Sequence, residues 1–174
     1  MHKDTLPLKV DPFRFADNAI SLQSTLPIKN MQRLCESLGN NEGDVQIDIH
    51  FGADEEGIRF VRGHIDTTVS LQCQRCLESF TFEIASDFAS GIVHTDEEGD
   101  KLPQRYDPLV AKDATLFISD LIEEELIVSL PIVPMHDVQT CKVKLPFLPD
   151  NTVSEEPGPE SPFKVIEILR SKRK

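Results

Sequence analysis

Apolar and polar positions alternate with period two along three stretches in the first half of the chain. Val45, Ile47, Ile49 and Phe51 alternate with Gln46, Asp48 and His50, the pattern of a half-buried strand. A second alternating run covers Ile58 to Cys73, with Gly63 expected to form a bulge. In a third, Phe80, Phe82 and Ile84 stand against Thr81, Glu83 and Ala85. Short connections between three such strands predict an antiparallel meander.

Elsewhere the period is helical. Met31, Leu34, Cys35 and Leu38 share one face of a short helix expected over Ile28–Leu38 and stopped by Gly39-Asn40-Asn41. The longest helix is expected from Asp113 to Leu130, opened by Asp113 or Thr115 and closed by Pro131. Leu109-Val110 suits a short strand, and residues 95–107 read as an acidic loop. Residues 6–13 read as an extended lead-in, because the residue before a proline avoids the helical region. Residues 131–147 read as a proline-punctuated return. Residues 150–160, rich in Pro and Glu, suit a linker, and Ser161-Pro162 suits the start of a terminal helix over Phe163–Ser171. The expected architecture is a single α+β domain over residues 1–149. Its antiparallel sheet is packed by one main helix, and short helices lie near the N-terminus and in residues 161–174.

Composition narrows the class. Hydrophobic residues make up 39% of the 174 positions, enough for a real core. No window is long and apolar enough for a membrane span, and residues 1–11 lack the apolar stretch of a signal peptide. A cytoplasmic protein is therefore expected. The net charge is −12, unevenly distributed. From Ser161 onward five cations (Lys164, Arg170, Lys172, Arg173 and Lys174) face the single anion Glu167, so this end carries +4 and residues 1–160 carry −16. A body that acidic repels phosphate backbones, so the expected partner is a basic protein and any RNA contact falls to the basic tail.

Four cysteines, Cys35, Cys73, Cys76 and Cys141, are too few for a disulfide framework in a chain this long. Cys73-Gln74-Arg75-Cys76 has the spacing of one metal-ligand knuckle. His136 and Cys141, five positions apart after Pro134, offer a second pair. Together they would give one structural zinc ion a Cys3His site. The bland alternative is that the cysteines end a strand and His136 is a loop histidine. A redox role for Cys73 and Cys76, with Arg75 activating a thiolate, is less well supported, since thiol-exchange pairs usually open a helix. Glu125 falls within the apolar face defined by Ile118, Leu121, Ile122 and Val128, with Asp120, Glu123 and Glu124 outside it. A carboxylate there either reaches water or needs a partner, for which Arg75 is the candidate by type. His50, His64 and His94 have no ligand spacing and read as surface or satisfied histidines. No catalytic set stands out from the background acidity.

Several blocks together resemble one family. They are Leu6-Pro7-Leu8 with Asp11-Pro12, Leu71-Gln72-Cys73-Gln74-Arg75-Cys76, Glu125 ahead of Leu130-Pro131-Ile132-Val133-Pro134, His136-Asp137 with Cys141, and Pro162-Phe163-Lys164-Val165 before a basic end. From Leu6 to Lys174 the chain resembles the YceD family of bacterial large ribosomal RNA subunit accumulation proteins. The resemblance implies a non-enzymatic ribosome-biogenesis factor needed for synthesis, processing or stability of large-subunit ribosomal RNA, and carries no catalytic residues. A thiol-redox or zinc-dependent enzyme using Cys73 and Cys76 is the other class to weigh. Some members have a cysteine-rich C-terminal segment, where this chain has only His136 and Cys141.

Overall fold

Ile49 of strand β3 (Asp44–Ala53) lies opposite Gly63 of β4 (Arg59–Gln72), which lies opposite Phe88 of β5 (Ser79–Val93). This continuous row fixes the register of the sheet, and no extra residue interrupts it at Gly63. The bulge expected there is absent for a steric reason. A Cβ on Gly63 would lie 2.4 Å from the Phe88 ring and 2.7 Å from Ile49, so the glycine makes room for the ring rather than bending the strand.

The computed structural model describes Pro7 and residues 9–143. It is α+β, as the patterning predicts. Strand β1 (Lys9–Val10) leads into helix α1 (Pro12–Asp17), then β2 (Ser21–Pro27), a 3-10 turn (Ile28–Asn30) and the one-turn helix α2 (Gln32–Cys35). After β3, β4 and β5 come α3 (Asp96–Gly99), β6 (Asp107–Val110), β7 (Leu116–Phe117) and α4 (Ile118–Ser129). The main sheet has the order β2-β3-β4-β5-β6; its first four strands are antiparallel, and β6 joins parallel to β5. A separate two-stranded ribbon pairs β1 with β7.

Three local readings differ from expectation. Asp11-Pro12 starts a helix, because the Asp11 carboxylate accepts the N–H groups of Phe13 and Arg14 while Pro12 sits in the first turn, where its missing N–H costs nothing. Helix α4 starts at Ile118 because Leu116 and Phe117 are taken up in the ribbon with β1. Residues 28–38 split into the 3-10 turn and α2. Strand β2 was not anticipated, although Leu22, Ser24 and Leu26 alternate with polar neighbours along it.

One face of the sheet is covered. Val45, Ile47, Ile49 and Phe51 of β3 and Val61, Ile65, Val69 and Leu71 of β4 are buried with Ile118, Leu121, Ile122 and Leu126 of α4 and Leu34 of α2. The other face is polar, where Gln23 donates to Asp48, Ser21 pairs with His50, and His64 pairs with Asp87. Both histidines are thus exposed and bonded, and His94 stacks on Phe13 at 4.0 Å. The expected 150–160 linker and terminal helix lie outside the described residues.

Candidate metal centre

Strand β4 buries Leu71 near its end and delivers Cys73 to a tight turn. The Cys73 N–H donates to Glu78 O at 2.9 Å and the Leu77 N–H to Cys73 O at 2.8 Å, which closes the turn before β5 begins. Leu77 adopts a positive φ of 62°, a region that disfavours a side chain. Cys73 and Cys76 therefore project from one knuckle.

The second pair arrives on the segment after α4. Gln74 N–H donates to Pro134 O at 2.9 Å, and the Arg75 guanidinium donates to His136 O. These bonds lay residues 134–136 against the knuckle. Asp137 O then accepts the N–H groups of Thr140 and Cys141, a turn that brings Cys141 inward to a buried position. Lys142 pairs with Glu78 at the outer edge, and the His136 ring lies 5.5 Å from that of Phe80.

These connections bring Cys73, Cys76, His136 and Cys141 together, with their four ligand atoms within 4.8 Å of one another. Cys76 Sγ lies 3.7 Å from His136 Nε2. Ligands about 2.0–2.3 Å from a tetrahedral zinc ion stand roughly 3.3–3.8 Å apart, so the donor types suit such an ion and the Cys76–His136 distance matches its spacing. Electrostatics point the same way. Burial alone would push the Cys73 thiol up, but the N–H groups of Cys76, Arg75 and His136, together with the Cys76 thiol, hold it down at about 5. Cys76 is shifted up, by burial first and then by its neighbours Cys73 and Cys141, with the Glu78 N–H opposing. One thiolate is thus preformed, while three crowded together need a cation.

Cys35 is not part of the cluster; its thiol donates to Ile28 O at 3.3 Å. Nor does the Arg75–Glu125 pair form. Arg75 is committed to His136 O, its Nε is buried without a partner, and the half-buried Glu125 side chain has no hydrogen bond or ion pair among the described residues. Burial first, then the Asp107 and Glu124 charges, shifts the Glu125 carboxyl up. The buried carboxylate of α4 is instead Glu123, which meets Arg33 and the N–H of Leu34. Helical spacing alone puts Glu123 outside the apolar face; only the approach of α2 buries it. Lys164, Arg170, Lys172, Arg173 and Lys174 lie outside the described residues.

Fold and cluster together define an α+β protein with a Cys3His group able to hold a metal ion. The family model for the Large ribosomal RNA subunit accumulation protein YceD matches residues 61–169, and the chain belongs to that family. The Large ribosomal RNA subunit accumulation protein YceD of Haemophilus influenzae is 30% identical over 174 residues, covering 99% of this chain and 100% of that protein. No solved structure matches the chain. Among the described residues no helix is long and apolar enough to cross a membrane.

Proposed function

We infer that the protein supports accumulation of large-subunit ribosomal RNA as a non-enzymatic, cytoplasmic assembly factor, and that one zinc ion on Cys73, Cys76, His136 and Cys141 holds its fold closed. Family membership supplies the process, and the observation that carries the mechanism is the four-donor cluster. Four protein ligands complete a tetrahedral zinc shell, as in structural sites, whereas catalytic sites keep one position open. The cluster also ties a segment without regular structure to the end of β4, 60 residues earlier in the chain at Cys76 and His136, which is what structural zinc does for a chain that cannot bury itself there. The knuckle lies between two strands rather than at a helix N-terminus, an arrangement that favours metal holding over thiol exchange. The bound ion would supply charge neutralisation and cross-linking. The acidic body suits a basic ribosomal or assembly protein as partner.

The test combines metal analysis with depletion of the protein in cells. Purified protein should carry one equivalent of zinc, lost in Cys76→Ser and His136→Ala. Depletion should lower large-subunit ribosomal RNA relative to small-subunit RNA; wild-type protein should restore it and Cys76→Ser should not. Absence of stoichiometric metal would reject the zinc site, and an unchanged RNA ratio on depletion would reject the role.

A further inference from the structure

The chain has 30 acidic side chains against 18 basic ones, so a partly buried arginine without an acid is unexpected. Arg33, Arg59, Arg105 and Lys142 each hold a carboxylate. Arg75 holds none among the described residues. Its guanidinium donates to His136 O, and its Nε is buried without a partner. Taking a cation partly out of water costs free energy that one carbonyl does not offset. The turn does not require that cost. Its knuckle is already closed by the Cys73–Glu78 and Leu77–Cys73 backbone bonds, and the Gln74–Pro134 bond already joins it to the returning segment.

Arg75 is tied to the Cys3His group at both of its ends. Its backbone N–H donates to the Cys73 sulfur, and its side chain meets the carbonyl of His136. Three thiolates and a neutral imidazole around a divalent zinc ion leave one negative charge over. The other charges of these two turns are engaged. Lys142, three-quarters exposed, pairs with Glu78, and the Asp137 carboxylate accepts the N–H of Gln139 within its own turn. The loaded cluster therefore calls for a cation that carries no carboxylate, and Arg75 stands between two of its ligand residues as such a cation.

We propose that Arg75 is a positioning residue of the metal centre. Its guanidinium offsets the charge of the loaded Cys3His group and, through the His136 carbonyl, holds His136 against the knuckle. This deepens the zinc reading above and rests on it. Groups that orient and neutralise metal ligands typically set metal affinity by roughly 10–100-fold. Arginine does so without competing for the ion, because it has no lone pair to offer. The missing Arg75–Glu125 pair is then explained as well: a carboxylate on the guanidinium would cancel the charge that the cluster uses.

The experiment titrates reduced full-length protein with zinc against a chromophoric chelator, in wild type, Arg75→Lys, Arg75→Gln and Lys142→Gln. Arg75→Gln keeps a side-chain donor and loses the charge, and should weaken zinc binding by roughly 10–100-fold. Arg75→Lys keeps the charge and should recover most of that loss. Lys142→Gln removes a solvated charge already met by Glu78 and should change affinity little. Cobalt in place of zinc adds a readout that loosened packing would not order by charge. A cation near thiolates lowers the energy of their electrons. The sulfur-to-cobalt charge-transfer band should therefore move to longer wavelength in Arg75→Gln and return in Arg75→Lys. Zinc held by Arg75→Gln as tightly as by wild type overturns the proposal, and so do equal losses in Arg75→Lys and Arg75→Gln. Should Arg75→Gln not fold, Arg75→Lys decides: zinc affinity close to wild type upholds the role of the charge, and loss of the metal overturns it. A wild-type protein that binds neither metal rejects the Cys3His site and the proposal with it, an outcome distinct from metal binding that ignores Arg75.

Discussion

The carboxylate of Glu123 on α4 accepts the backbone N–H of Leu34 on α2 at 3.1 Å, across 89 positions of the chain. Helix α2 has one turn, and its N-cap position is Met31, whose side chain cannot cap it. Glu123 acts as that cap from another helix, and Arg33 Nε closes on the same carboxylate at 3.2 Å. Replacing Glu123 with Ala leaves a buried N–H unpaired, so a loss of about 1–3 kcal/mol is expected. Glu123→Gln keeps an acceptor and should lose less. Arg33→Ala should cost less still, because that side chain is half exposed and its ion pair is screened. Urea unfolding of the three variants checks the order; an unshifted midpoint for Glu123→Ala would show that the carboxylate does not hold α2.

That contact also marks where sequence reading stops. The period-two runs in β3, β4 and β5 announce the meander because each strand buries one face and wets the other. The four members of the Cys3His cluster are legible for a different reason: Cys73 and Cys76 share one turn, and His136 and Cys141 flank another. Glu123 was out of reach, since its burial depends on α2 arriving from 89 residues away. Glu125 misleads because a helical wheel weighs neighbours on its own helix and does not show that the carboxylate meets the like charge of Asp107 rather than a cation. Strand β2 was missed because Pro27 and the half-exposed Leu22 and Leu26 blur its alternation.

Gly63 sits on the inner face of β4 directly beneath Phe88. A methyl group there must displace an aromatic ring and Ile49 from a packed layer. Gly63→Ala should therefore destabilise by roughly 1–3 kcal/mol, the usual cost of overpacking. Phe88→Leu in the same chain should recover part of that loss, because it removes the ring atoms the new methyl meets. Additive losses in the double variant would show that the two residues do not compete for one space.

The Cys73 thiol predicts a pH dependence in the metal-free, reduced protein. Its folded value of about 5 lies below the ordinary thiol value of 9.0. Between these values the folded state carries a thiolate where the unfolded chain carries a thiol, so the unfolded state binds more protons and stability rises with pH. The contribution is complete above the unfolded value and is lost as pH falls through about 5. Carboxylates titrate at the low end of this window, so the readout is the difference between wild type and Cys73→Ser. The wild-type urea midpoint should climb more steeply from acid to neutral pH than that of the variant. Parallel curves would mean that the backbone N–H groups around Cys73 do not favour its thiolate. Adding zinc should raise the wild-type midpoint further and leave Cys73→Ser nearly unmoved.

The division of charge along the chain predicts how RNA binding divides. Residues 1–160 carry −16 and residues 161–174 carry +4. Phosphate contact requires cations that release condensed counterions, and about four net charges on a single-stranded site give a log–log salt slope no steeper than roughly −3. Large-subunit RNA should therefore bind the full chain weakly, with a shallow salt dependence. Replacing Lys164, Arg170, Lys172, Arg173 and Lys174 with Gln should abolish most of that affinity. The acidic body, which repels phosphate, cannot compensate. Filter binding at several salt concentrations separates the cases. Tight, steeply salt-dependent RNA binding by the Gln-substituted chain would place the RNA contact on the body and refute this division.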